Sequence, residues 1–134
     1  MPFLLYKCNY VKGSGEFKMK RIALINDLSG FGKCSLTAAI PVISVMGMQA
    51  CPLPTAILSA QTGFDNYYCD DFTNRMDCFI KHWKEMGEQF DGIASGYLAS
   101  PMQIEKVLHF LEIFKKENTL VFSFFLWYTD NVER

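Results

Sequence analysis

Apolar and polar positions alternate along this chain in blocks that read as strand, helix, strand, helix. Residues 1–18 show no clear period, and from Met19 the run Met-Lys-Arg-Ile-Ala-Leu-Ile has the pattern of a buried strand. It enters Asn26-Asp27-Leu28-Ser29-Gly30-Phe31-Gly32, a glycine turn. A helical spacing follows through Leu36, Ala39, Ile40, Ile43 and Met46 and stops at Gly47. Pro41 falls inside that spacing, where it removes one backbone bond and should kink the helix or shift its start. Ala50 to Leu53 is the second expected strand. Thr55 to Asp70, rich in Ser, Thr, Gly, Asn and Tyr, is expected as a long loop or short hairpin over a site.

The next helix is capped by Asp70 or Asp71 and places Phe72, Met76, Phe79, Ile80 and Trp83 along one face before Gly87. Asp91 to Ser95 is the third strand, and Gly96-Tyr97-Leu98-Ala99 the turn after it. Ser100-Pro101-Met102-Gln103 combines an N-cap serine, a proline at the first helical position and a glutamine at the capping-box position. Ile104, Val107, Leu108, Leu111 and Phe114 continue that helix, and Glu112 with Lys116 is expected as an i, i+4 pair on its outer face. A fourth strand begins at Thr119 or Leu120. Four strands alternating with three helices imply right-handed crossovers and an α/β architecture with a mainly parallel sheet covered on both faces. Ligands in such sheets bind beyond the carboxyl ends of the strands, where Asn26 to Gly32, Thr55 to Phe64 and Ser95 to Leu98 lie.

Composition narrows the partner. The chain has 134 residues, half of them hydrophobic and 20% charged, which is enough apolar material for one folded domain. A formal net charge of −1 offers no basic stripe for nucleic acid or an acidic membrane, so a small molecule is expected. Five cysteines form no C-x-x-C pair and suggest neither a disulfide framework nor zinc, and a reducing cytoplasm is the expected compartment. No run has the ~20 apolar residues of a membrane span, and the start lacks a signal peptide's apolar stretch. His82 and His109, with charged neighbours, are read as surface residues.

Gly30-Phe31-Gly32-Lys33-Cys34-Ser35 invites a phosphate-loop reading, but Asp27 and Cys34 stand where that loop needs Gly and Ser or Thr. A glycine turn that lets a helix pack closely after a strand is the plain alternative. Asp27 has two readings, a carboxylate facing a ligand hydroxyl or ring nitrogen and a helix N-cap. Ser59, Gln61 and Thr62, in Ser59-Ala60-Gln61-Thr62-Gly63-Phe64, offer polar groups beside a glycine, as binding loops and ordinary turns both do. Tyr97 suits stacking on a flat ring or a half-buried place at a strand end.

Taken in order, Asn26 to Ala39, Cys51 to Ala56, Leu58 to Phe64 and Phe90 to Leu98 resemble the bacterial pyridoxal/pyridoxamine kinases of the ribokinase-like superfamily, with the match running from about Met19 to Val121. The resemblance implies a three-layer, mostly parallel sheet and an ATP-dependent, magnesium-using cytoplasmic homodimer. Its reaction would phosphorylate the 5′-hydroxymethyl group of pyridoxal, pyridoxine or pyridoxamine. By position it makes Asp27 the ring-contacting residue, Thr62 the substrate-loop threonine and Tyr97 the aromatic against the pyridine, with Ser59 and Gln61 beside them. Where the family commonly reads Ser-Asn-His-Thr-Gly, this chain has Ala60 and Gln61, so an imidazole is missing.

The family's Gly-x-Gly-Asp segment, which would hold phosphate and supply the base, has no counterpart, so no catalytic residue is assigned. The expected ATP and magnesium sites are largely missing. Gly13-Ser14-Gly15-Glu16 only looks similar, since it precedes the first strand. Losing even one transition-state donor can cost ~100-fold in rate, so the chain as given is expected to be inactive or nearly so. Two non-enzymatic readings stand beside this, a B6-binding or interaction protein and a truncated gene fragment. Phe125 to Asp130 replaces the family's Asp-Pro-Val-Met-Gly-Asp, as a shifted reading frame would. Residues 1–18 are expected to be a non-native or disordered leader, because Gly15-Glu16 can be encoded as a ribosome-binding site ahead of Met19. Residues 19–134 would then be the amino-terminal part of a kinase domain.

Overall fold

The computed structural model describes residues 18–123. The expected leader, the glycine look-alike at 13–16 and the altered segment 125–130 lie outside the described residues. In chain order the elements are β1 (Arg21–Phe31), α1 (Ser35–Val45), β2 (Gln49–Ala60), β3 (Cys69–Asp71), α2 (Thr73–Glu85), β4 (Gly92–Ser95), α3 (Pro101–Phe114) and β5 (Leu120–Ser123). The sheet order is β3-β2-β1-β4-β5, parallel throughout except for β3. The chain thus steps from β1 outward to β2, then returns across β1 to β4, so the helices of the two crossovers lie on opposite faces.

Strand periodicity assigns the core. Ala23 and Ile25 of β1, Leu53 of β2 and Ile93 of β4 point into one layer with Met76 and Ile80 of α2 and Val107, Phe110 and Phe114 of α3. Phe90 completes it, and Trp83 packs between Phe90 and Phe110 with ring centroids 5.4 and 6.1 Å away. Leu24 points the other way, toward the face that α1 covers with Leu36. The second face is thinner, since Leu36 is the one fully buried residue of α1.

Several boundaries differ from the sequence reading. β1 does not stop at Ile25: Leu28, Ser29 and Phe31 keep pairing with Ile57, Leu58 and Ala60, so most of the expected glycine turn is strand. The true turn is Gly32 to Cys34, with Gly32 at φ +103°. β2 likewise runs through Pro52 and Pro54. Their missing N–H groups fall at alternate positions, hence along one side of the strand, and β3 pairs only with Ala56 to Leu58. Of the two readings of Thr55 to Asp70, the short hairpin is the one formed, its antiparallel β3 adding a fifth strand to the four expected.

Helix α1 passes through Pro41 without a break. The N-cap of α2 is Phe72, neither Asp70 nor Asp71; from the position before it Asp71 Oδ1 accepts the backbone N–H of Thr73, the first residue of α2, at 2.7 Å, and Asp70 pairs with Arg75. Ser100 caps α3 by accepting from Gln103 N–H at 3.3 Å. The expected Glu112–Lys116 pair is not formed, because α3 ends at Phe114 and Glu112 faces His109 at 3.6 Å instead. His82 and His109 are both exposed, as read from sequence.

Candidate functional site

Strand β1 has β2 on one side and β4 on the other, reached by crossovers that leave in opposite directions, so their carboxyl ends form the topological switch point at which sheets of this kind bind ligands. The pairing of β1 with β2 slips there. Asn26 pairs with Pro54 and Leu28 with Ile57, which leaves Asp27 alone opposite both Thr55 and Ala56. Such a bulge bends the ladder and re-aims side chains. The half-buried carboxylate of Asp27 accepts from Ser35 Oγ at 2.6 Å on one oxygen and from Ser29 Oγ at 3.1 Å on the other. Two hydroxyl donors leave further lone pairs on a carboxylate open to a ligand. Ser29 is completely buried, and Ser35 sits at φ +49°, a left-handed conformation that costs energy for a residue with a Cβ. Asp27 is not the N-cap of α1: Cys34 holds that position, and from the helix start Asp27 takes only the side-chain hydroxyl of Ser35.

At the end of β4, Gly96 donates its N–H to Ile25 O at 2.9 Å. A Cβ on Gly96 would stand 2.1 Å from the Asn26 side chain, so this glycine allows the two strand ends to touch. Tyr97 follows directly, with half of its surface exposed and no packing that hides the ring. Asp27 and Tyr97 are each one residue beyond that Asn26–Gly96 contact, and the structure brings them to the same end of adjacent strands.

Ser59, Gln61 and Thr62 lie further along, on the ribbon that β1 and β2 extend past the bulge. From Ala56 to Ala60 this ribbon spans about 13 Å at strand rise. Ser59 Oγ accepts from Tyr68 N–H at 2.8 Å, so its hydroxyl fastens the β2–β3 hairpin. Gln61 donates its N–H to Phe31 O at 2.9 Å and lays its side chain over Gly32. Thr62 is exposed in the hairpin turn. No hydrogen bond among the described residues links these three to Asp27 or Tyr97.

The sequence reading missed Ser29 and Ser35 as partners of Asp27. For Ser29 a signal existed, because Asp27 and Ser29 are two apart on a strand and share a face. For Ser35 none did, since its approach depends on the turn at Gly32.

A magnesium nucleotide needs acidic ligands and a backbone cradle. Among the described residues no group of three His, Cys, Asp or Glu could hold a metal ion. Among the described residues, the glycine turn ahead of α1 has the Gln61 side chain lying across it, 2.8 Å from where a Cβ on Gly32 would stand. The described residues therefore do not fit that group, and no transfer step is derived through it. A separate open cleft of about 220 Å3, lined by Lys18, Asp91, Lys116 and Glu117 among others, lies at the amino-terminal edge of the sheet, away from this site.

No family model and no curated protein matches the sequence. Among solved structures, a Bacteroides thetaiotaomicron protein designated a phosphomethylpyrimidine kinase is 44% identical, with a TM-score of 0.79 over 83% of this chain and 38% of its own. A second crystal form of a protein with that designation, from the same organism and determined with pyridoxal, is 45% identical with a TM-score of 0.77, over 79% of this chain and 37% of its own. Pyridoxal kinase from Lactobacillus plantarum is 26% identical with a TM-score of 0.71, over 78% of this chain and 38% of its own. The chain thus spans less than two fifths of these relatives' length. Over that part it has the ribokinase-like α/β fold of the pyridoxal kinases and phosphomethylpyrimidine kinases, and it is related to them in sequence as well as in fold.

Proposed function

We propose that residues 19–134 are the substrate-side part of a kinase that phosphorylates the 5′-hydroxymethyl group of a B6 vitamer. In this reading Asp27 accepts a hydrogen bond from the ring, Tyr97 lies against its face, and the hairpin with Ser59, Gln61 and Thr62 closes over it. Its ATP and magnesium would be handled by parts beyond the described residues, in a cytoplasmic homodimer like that expected of full-length relatives. The observation that carries the reading is a carboxylate at the bulge of the switch point, Asp27, in a chain 45% identical to a protein solved with pyridoxal. On its own the chain binds the vitamer and turns over little or no ATP.

Two measurements on the purified chain test this. Isothermal titration with pyridoxal should show saturable binding, weakened about tenfold or more by Asp27→Ala, which removes a charged acceptor from a confined site. A coupled ADP assay should show no production above background. Turnover would sink the claim of incompleteness, and absence of binding would sink the vitamer assignment. A hydroxymethylpyrimidine is the second substrate to titrate, because both of the Bacteroides thetaiotaomicron structures carry a phosphomethylpyrimidine kinase designation. Tighter binding of the pyrimidine would transfer the same site to that substrate.

A further inference from the structure

Gln103 lies in the first turn of α3, yet its side chain does not close a capping box on Ser100. It is 1% exposed and reaches into the layer between helices and sheet. Its Oε1 accepts from Ala99 N–H at 2.9 Å, and its Nε2 donates to Thr55 O at 3.0 Å and Thr73 Oγ1 at 2.9 Å. The orientation of the amide follows from its neighbours, because Ala99 N–H can only donate and Thr55 O can only accept. Thr73 Oγ1 passes the chain on by donating to the carboxylate of Asp71. Thr55 O also receives Phe72 N–H at 3.0 Å, so both of its lone pairs are used. No buried side-chain polar atom among the described residues is left without a partner.

What distinguishes this network is where its three arms end. Thr55 is one of the two residues of β2 that oppose Asp27 across the bulge. Ala99 closes the turn that carries Tyr97. Thr73 opens α2, directly after β3 of the hairpin whose other end bears Ser59, Gln61 and Thr62. A single buried amide therefore ties the turn that carries Tyr97 to both ends of the hairpin that bears Ser59, Gln61 and Thr62, and one of those ends faces Asp27 of β1 across the bulge. An apolar side chain of the same length would fill the space but cut the buried tie to Thr55 O and Thr73 Oγ1 and release Ala99 N–H to solvent, and the turn would be free to drift.

We propose that Gln103 is a positioning residue for the substrate pocket, fixing the bulge opposite Asp27 and the Tyr97 turn relative to each other before any ligand arrives. The inference rests on the B6-binding reading above. It predicts that Gln103→Met weakens pyridoxal binding about tenfold or more, measured per folded molecule at a temperature where circular dichroism shows the variant folded. Gln103→Glu, which keeps the acceptor for Ala99 but puts a carboxylate oxygen against Thr55 O, should also weaken binding. Val107→Ala in the same helix, buried in the core but with an apolar side chain that takes no part in these hydrogen bonds, is the control. It should lower the melting temperature and leave the affinity of the folded protein unchanged.

The proposal is overturned if Gln103→Met behaves like Val107→Ala, less stable but equally good at binding. If the wild-type chain binds no pyridoxal, the vitamer reading has failed instead. Amide exchange then decides the positioning claim: Gln103→Met should speed exchange at Ala99 and shift the amide resonances of Tyr97 and Asp27. Unchanged protection and resonances at those residues would overturn it.

Discussion

Gly96 is where one hydrogen in place of a methyl group decides whether two strand ends can meet. Asn26 has little room to withdraw, because its Oδ1 already accepts from Asp27 N–H at 3.0 Å and a shift would disturb Asp27 itself. Gly96→Ala is therefore expected to cost about 1–3 kcal/mol, the usual range for overpacking, as measured by urea denaturation. Asp71 makes a second prediction at this scale. Its hydrogen bonds from the side chain and then the backbone of Thr73 hold the carboxyl below the ordinary aspartate range. A lowered folded-state pKa adds stability above the ordinary titration range, and that stability is lost as the pH falls through the lowered value. Because Asp71 is exposed, the effect is modest. Asp71→Ala should cost about 1 kcal/mol at neutral pH, as for a lost helix cap, with the gap to wild type narrowing in acid. Urea midpoints of both proteins between neutral and acidic pH measure this, and a gap independent of pH would refute it.

At the scale of elements, the hydrophobic core cluster lies in the layer between α2, α3 and the sheet. Phe110 is fully buried, with Phe114 at 4.5 Å and Phe90 at 5.7 Å between ring centroids. Phe110→Ala should cost about 3–5 kcal/mol in a denaturant titration, a large share of what a small domain possesses. These helices were legible because their apolar residues recur at three and four and their ends carry Asp71, Ser100 and Pro101. The strands were legible only in part. Gly30 and Ser29 read as a turn because local preference does not know that Ile57 to Ala60 will pair beside them, and Pro52 and Pro54 read as a strand end because the sequence hides which side of β2 lies open. Gln103 shows the same limit from the other direction. Its position in Ser100-Pro101-Met102-Gln103 pointed to a local cap, whereas its amide was taken up by Thr55 and Thr73, 48 and 30 residues away. Of the candidate site, Asp27 and Tyr97 were readable as strand-end residues, and what joins them was not, since it depends on which strands become neighbours.

For the molecule as a whole, coverage of the sheet is uneven. Parallel strands are ordinarily covered on both faces, yet Leu120, Val121 and Phe122 of β5 are 63%, 38% and 58% exposed. On the opposite side Val42 and Val45 of α1 and Met46 at its C-cap are exposed as well, and a helix apolar on nearly every side is one that usually sits in an interior. Apolar surface of this kind binds amphipathic dyes without any loss of fold. The folded chain is therefore expected to raise the fluorescence of anilinonaphthalene sulfonate under conditions where its near-ultraviolet dichroism is still native. Val45→Lys and Leu120→Lys should each lower that signal while leaving the urea midpoint nearly unchanged, since both side chains already face solvent. A dye signal that appears only in partly unfolded protein, or that neither substitution lowers, would mean that these faces are covered in solution.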